Sequence, residues 1–207
     1  PPTSSSAGAG ASAPSAPSGA TFQVIVTGQL EGCVNPGESS LLCKYDVVYG
    51  SDWSVIYGTD HGITQTASIS STEGVAVWNH PLEMSFSSRN PHGWPQITLA
   101  IFGPDLLGRD VVRGYGCLRL PVYTGRYTRK VRIWIPNHSS SFFTVLGRLT
   151  GRHAEYLDSR FSARGPGREI TRVSSYGYVK VVLDVVVSGA KSFGYTAIPV
   201  VERNDFL

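Results

Sequence analysis

Apolar residues fall on every second position through much of this chain. Phe22, Val24 and Val26 share one parity. Leu82, Met84 and Phe86 alternate with Glu83 and Ser85, and Ile97, Leu99 and Ile101 with Thr98 and Ala100. Val131, Ile133 and Ile135 alternate with Arg132 and Trp134 and stop at Pro136. A period of two marks half-buried strands, because successive side chains point to opposite faces of a sheet. Further strands are predicted at Leu41–Tyr49, Gly74–Asn79 and Asp110–Val122, and the strongest at Tyr178–Val187. Helical spacing occurs once, where Phe142, Phe143, Leu146 and Leu149 predict a short helix that ends near Gly151. Roughly eight short strands with Gly/Pro turns and at most one short helix predict an all-β, antiparallel β-sandwich.

The breaks between these runs carry their own signal. Gly28–Ser40 is rich in Gly, Pro, Asn and Ser and reads as a loop. Gly50–Trp53 ends the strand before it, Pro81 closes the strand at Gly74–Asn79, and Tyr57–Thr72 is polar without a clear period. The most structured break is Asn90-Pro91-His92-Gly93-Trp94-Pro95-Gln96. Its prolines fix φ and its glycine permits positive φ, so the turn is rigid. Trp94, held inside it, is expected to plug an end of the core.

Composition divides the chain. Residues 1–20 contain only Pro, Thr, Ser, Ala and Gly, too little apolar surface to offset the entropy of ordering, and read as a disordered tail. The folded domain is expected over 21–188, with a C-terminal tail over 189–207. The chain begins at Pro1 rather than Met, so an expected upstream segment would carry any terminal address signal. No apolar run approaches the ~18 residues a spanning helix needs. Three cysteines, Cys33, Cys43 and Cys117, have neither metal-ligand nor disulfide-scaffold spacing, which favours a reducing, cytosolic compartment.

Net charge is +3, but the cations cluster. Arg126, Arg129, Lys130 and Arg132 lie in one stretch. Arg148, Arg152, Arg160, Arg164, Arg168 and Arg172 follow, with few acids between them. Such clusters are either solvated faces or docking surfaces for an acidic partner or anionic lipid. Nucleic acid is not expected as a partner, since aromatics are poorly interleaved with the basic residues.

Candidate chemistry is sparse. There is no Gly-x-Ser-x-Gly, phosphate-binding P-loop or His-Glu-x-x-His. His61, His80, His92, His138 and His153 are scattered and read as turn or surface residues. Gly114-Tyr115-Gly116 beside Arg113 could cradle a phosphate, but no helix follows, and a bent or bulged strand is the preferred reading. Asp46, Asp52, Asp60, Asp105 and Asp110 would be calcium ligands only if they converged, and no Asp-x-Asp pair occurs. No catalytic, cofactor or metal residue is nominated.

Seven blocks, in order, carry a resemblance. They are Leu42-Cys43-Lys44-Tyr45, Val48-Tyr49-Gly50-Ser51-Asp52-Trp53, Val77-Trp78-Asn79, Asn90 through Ile97, Gly103-Pro104-Asp105, Val111 through Gly116, and Gly167 through Val173. Over Phe22 to Val187 the chain resembles the B9 domain family of ciliary proteins. That resemblance implies a C2-like β-sandwich without enzymatic activity or cofactor. It implies a scaffold subunit of the Meckel syndrome (tectonic-like) complex, at the cytoplasmic side of the ciliary transition zone and basal body. The implied partners are two other B9 domain proteins and transmembrane members of the complex, to which the basic clusters add an anionic membrane surface. A stand-alone, calcium-independent lipid-binding module is the rival. Arg126, Arg129, Lys130, Arg148 and Arg152 are expected to supply the electrostatic part of docking, and Trp53, Trp94 and Trp134 are candidate anchors, at least two of which are expected to be core.

Overall fold

Strand β1 runs Phe22–Val34, straight through the glycine where a loop is expected to begin. The reason lies at Gly28. A Cβ there would sit 2.1 Å from the Val182 carbonyl oxygen on strand β10 (Val173–Ser188). This glycine serves a close approach of two backbones, not a turn. The computed structural model describes residues 20–34, 39–70, 74–105, 107–136 and 173–194. The expected helix at 140–149, the second arginine cluster and both tails apart from their inner ends lie outside the described residues.

Between β1 and β10 come eight further strands. They are β2 (Ser40–Val48), β3 (Trp53–Gly58), β4 (His61–Ile63), β5 (Ala67–Ser68), β6 (Val75–Ser88), β7 (Gln96–Pro104), β8 (Asp110–Arg119) and β9 (Gly125–Pro136). The stretch that looked polar and aperiodic thus holds two short strands and the end of a third. The two strands expected around Pro81 are one strand, β6. Asn79 takes φ 46° and Trp78–Asn79 oppose Glu31 as a bulge between the pairs Gly32–Val77 and Leu30–His80. Pro81 lies beyond the reach of β3, which pairs with β6 only from Met84 to Ser88, so proline is tolerated there.

All pairings are antiparallel, in the order β3-β6-β1-β10-β9-β8-β7-β2-β4, with β5 on β2. The sheet curls so that β3-β6-β1-β10-β9 faces β8-β7-β2-β4. The seam is thin, because β8 and β9 share only the pair Tyr115–Trp134. Around that pair, Ile133 and Val131 press onto the backbone of β8. A Cβ on Gly114 would fall 2.0 Å from an Ile133 methyl, and one on Gly116 3.1 Å from a Val131 methyl. Arg113 forms a bulge between the pairs Ile101–Gly114 and Phe102–Val112 and donates to the Pro104 carbonyl. The Gly-Tyr-Gly segment is therefore a bulged strand packed from above, with no room for a phosphate.

The core between the two layers is built from inward positions: Val24, Val26, Leu82, Met84, Phe86, Val181 and Leu183 from one, and Leu41, Cys43, Ile97, Leu99 and Ile101 from the other. Buried indoles tie the layers together. Trp78 Nε1 donates to the Leu41 carbonyl at 3.0 Å, Trp53 Nε1 to His92 O at 2.8 Å and Trp94 Nε1 to Leu120 O at 3.0 Å. Trp94 plugs the end of the sandwich, as expected of the turn that holds it. It stacks on Phe22 at 6.2 Å and meets Trp53 edge-on at 5.0 Å. A 3-10 turn, Ala190–Phe193, follows β10 and brings Phe193 to 5.7 Å from Phe22.

These contacts separate two roles of glycine. Gly28→Ala should lower stability by about 3 kcal/mol or more, since the new methyl meets a backbone carbonyl that cannot move alone. Gly108, with φ 74° and no neighbour within 4 Å of its would-be Cβ, carries only a conformational penalty. Gly108→Ala should cost roughly 1–2 kcal/mol. Chemical denaturation of the two variants tests this ordering, and equal losses would refute the close-approach account.

Candidate interaction surface

Strand β9 positions the first arginine cluster. Its register against β10 is unbroken from Gly125–Val185 to Arg132–Tyr178, so parity alone sorts the side chains. Arg126, Lys130 and Arg132 share the outward face and are exposed. Arg129 has the opposite parity, with the buried Tyr127 and Val131. Its guanidinium lies 5.4 Å from the Tyr127 ring centroid, and it is half-buried. Of the expected docking residues, the structure thus brings Arg126 and Lys130 together and separates Arg129 from them. Arg148 and Arg152 lie outside the described residues.

Strand β10 adds a cation that the sequence reading passed over. Lys180 is the direct register mate of Lys130 on the same face. Like charges directly opposite one another on a sheet are unfavourable. Each is drawn aside: Lys180 Nζ lies 2.8 Å from Glu31 Oε2, and Lys130 Nζ lies 5.1 Å from the Tyr178 ring centroid. Arg126 lies 3.9 Å from Asp184 across the same pair of strands, a loose and solvent-exposed contact. Among the described residues, this part of the face carries Arg126, Lys130, Arg132 and Lys180 beside Asp184 and Glu31. The parity of β10, where Lys180 and Asp184 alternate with Val179, Val181, Leu183 and Val185, is the signal that could have found this cation. Glu31 was hidden because its segment read as loop.

The tryptophan anchors are a correction. Trp53 and Trp94 are 4% and 5% exposed, and their ring N–H groups are taken by loop carbonyls. Both belong to the core at the capped end and offer no surface to a partner. Trp134 is half-buried against Tyr115 at the seam.

The aspartates do not converge. Asp52 accepts from Asn90 Nδ2, and the Asp46 carbonyl accepts from Thr98 Oγ1 in the core. Asp60 accepts from Tyr49 at 3.0 Å and lies 2.8 Å from His61 Nδ1. The His61 contact, helped by the tyrosine hydroxyl, holds its carboxyl below the usual range despite some burial. Asp105 closes the β7–β8 hairpin by accepting from the Leu107 and Arg109 amides, both at 2.8 Å, and from the Arg109 side chain. The Arg109 amide leads the causes that lower its pKa. Among the described residues, no three His, Cys, Asp or Glu side chains are placed to share a metal ion. His61 and His92 are exposed, and His80 is half-buried beside Tyr45. His138 and His153 lie outside the described residues.

The thiols follow burial. Desolvation pushes Cys33 up to about 12, and Cys43 also rises well above the ordinary thiol value. Cys117 is only half-buried. The thiolate is the reactive form, so a maleimide at neutral pH should label Cys117 first and leave Cys33 and Cys43 until the protein unfolds. Mass-spectrometric mapping of labelled peptides checks this, and early labelling of Cys43 would contradict it.

Asp105 gives a pH prediction. Its folded-state pKa lies below the unfolded value, so its contribution is present above the ordinary carboxylate range and is lost as pH falls through the depressed folded value. Asp105→Asn should be less stable than the wild type at pH 7, and the gap should close as the pH drops below about 4. Thermal melts of both proteins across that range measure it. A gap independent of pH would show that the charge plays no part.

The family described as "Ciliary basal body-associated, B9 protein" (B9-C2) matches residues 24–186. The chain is 42% identical over 186 residues to B9 domain-containing protein 1 of Mus musculus, covering 89% of this chain and 91% of that protein. It is 41% identical over 179 residues to B9 domain-containing protein 1 of Homo sapiens, covering 86% and 88%. B9 domain-containing protein 2 of Rattus norvegicus is 32% identical over 114 residues, covering 55% of this chain and 65% of that protein. Among solved structures, a C2 domain of plant Extended Synaptotagmin 1 aligns with a TM-score of 0.39 at 13% identity, covering 78% of this chain and 92% of that one.

Proposed function

Since this chain belongs to the B9 family of ciliary basal body-associated proteins, we propose that it is a non-enzymatic scaffold subunit of the ciliary transition zone. In this reading it binds two other B9 domain proteins and transmembrane members of the tectonic-like complex. It would act on the cytoplasmic side of the membrane, near the basal body, and contribute to cilium assembly and the membrane diffusion barrier. The observation that carries the reading is the identity of about two residues in five to B9 domain-containing protein 1 across nearly the whole folded region. The outward cations of β9 and β10 supply the electrostatic side of docking, where exposed charges chiefly set orientation and association rate. Arg126, Lys130 and Arg132 are the described residues assigned to that role, with Arg129 supporting them from the other face. Arg148 and Arg152 remain assigned to it from sequence.

One observation favours a second reading, direct contact with anionic lipid. Arg126, Lys130, Arg132 and Lys180 share one outward face of β9 and β10, a basic surface of the kind that attracts anionic headgroups. Such binding weakens as salt rises.

Co-expression with the two other B9 proteins, followed by size-exclusion chromatography with light scattering, tests the first reading. A stable stoichiometric complex is expected. The triple variant Arg126→Glu, Lys130→Glu, Arg132→Glu should bind about tenfold more weakly or worse, mainly through slower association. A monomer that ignores both proteins overturns the scaffold reading. If that monomer floats with phosphatidylserine vesicles in a salt-sensitive way, the lipid reading replaces it.

A further inference from the structure

β8 and β9 are consecutive strands joined by residues 120–124, a connection short enough for a fully paired hairpin. Here they pair only at Tyr115–Trp134 and then part. β8 continues along β7 to the pair Gln96–Arg119, and β9 runs along β10 from the pair Gly125–Val185. Charge gives a reason for the parting. Continued in register from Tyr115–Trp134, the hairpin would set Arg119 opposite Lys130, and like charges directly opposite on a sheet are unfavourable. Val131 still packs on Gly116, at the seam. Residues 125–130 of β9 have β10 on one side and no described strand on the other.

This edge is selective because of what flanks it. From Gly116 to Arg132 the chain has five cations, Arg119, Arg126, Arg129, Lys130 and Arg132, and no acid. Arg119, Arg126 and Lys130 are exposed. Arg129 has the opposite parity on β9, so a strand added at this edge meets cations above and below it. The carboxylates that answer the outer cations lie on the far side of β9, Asp184 on β10 and Glu31 on β1. A second copy of β9 would be repelled, and an uncharged strand would gain main-chain hydrogen bonds alone. A lipid phosphate only accepts hydrogen bonds and leaves the edge carbonyls without donors, whereas an extended chain supplies both donors and acceptors. We propose that residues 125–130 of β9 pair with an extended segment of a partner protein that carries Asp or Glu at alternate positions. Its acids would lie over Arg126 and Lys130, and its intervening residues would turn toward the seam beside Tyr127. The proposal rests on the reading of β9 as a docking surface and adds the chemistry and conformation of what docks. So short a strand pair buries less than the about 1,000 Å² of a stable interface, so the expected dissociation constant is on the order of 100 µM.

The probe is a blocked seven-residue peptide in which glutamate alternates with valine, titrated into the full chain and followed by calorimetry and amide hydrogen exchange. Protection is expected at amides within 126–130, with affinity falling about tenfold between about 0.05 M and about 0.5 M salt. The same peptide with lysine for glutamate should not bind. Its fully N-methylated form, which keeps the charges but cannot donate from the main chain, should bind about tenfold more weakly or worse. The double variant Arg126→Glu, Lys130→Glu should weaken the parent peptide by a similar factor. If that variant misfolds, the three peptides on the wild type still decide. Equal binding of the N-methylated peptide overturns the proposal, since charge alone then suffices. So does protection that falls elsewhere, or an edge at 126–130 already fully protected in the free chain. A chain that assembles with the other B9 proteins yet gains no protection at 126–130 overturns strand pairing and leaves the scaffold reading standing. Peptide binding at 126–130 without that assembly supports strand pairing and counts against the scaffold reading alone.

Discussion

The capped end of the sandwich is the constraint on which the rest of the fold depends. Phe22, Trp53, Trp94 and Phe193 meet there, from the first strand, the start of β3, the β6–β7 turn and the 3-10 turn after the last strand. Apolar contact alone would leave two indole N–H groups buried and unpaired, at a cost of about 1–3 kcal/mol each. Each instead donates to the carbonyl of a different loop, His92 for Trp53 and Leu120 for Trp94. The loops are thereby fixed to the core rather than draped over it. Gly50 and Gly93 pass so closely that a Cβ on Gly93 would lie 2.5 Å from the Gly50 Cα, and the Gly50 amide donates to Gly93 O. The conformation of that turn and the packing of both tryptophans are thus one solution, and neither could be kept without the other.

Much of this was legible. The alternation in β1, β6 and β9 is driven by burial on one face, a local pattern with a global cause, whereas β7 is buried on both faces from Ile97 to Ile101. The proline-bounded turn around Trp94 announced both its rigidity and its buried tryptophan. The misreadings have a common origin. Gly28 and Pro81 look like stops because most glycines and prolines are stops. Here glycine makes room for the Val182 carbonyl, and proline sits past the end of the neighbouring strand. Both facts belong to residues distant in sequence, so no local window contains them. Gly114 and Gly116 were read as part of a bulged strand, but Ile133 and Val131, which need the space, could not be named in advance.

The interaction surface was legible in kind and not in arrangement. The density of cations between Arg126 and Arg132 pointed to β9. Which of them act together is decided by strand parity and by the register against β10, and that register brings in Lys180 with its partner Glu31. Trp53 and Trp94 stood as anchor candidates although the turn already put Trp94 in the core. Large aromatics serve equally well as core and as anchors, and only their hydrogen-bond partners, set by tertiary packing, separate the two.

Placement of charge along the curl completes the picture. The sheet begins at a neutral strand, β3, and its sandwich layer ends at a basic one, β9, with β6, β1 and β10 between. A surface that must meet an acidic partner gains from repelling its own copies, because repulsion keeps it free for the intended encounter. Neutralising the β9 cations would therefore do more than weaken docking. It would also remove the charges that guard the exposed length of β9 against pairing with another strand, since β9 shares a single pair with β8 and its remaining length lacks a second described neighbour.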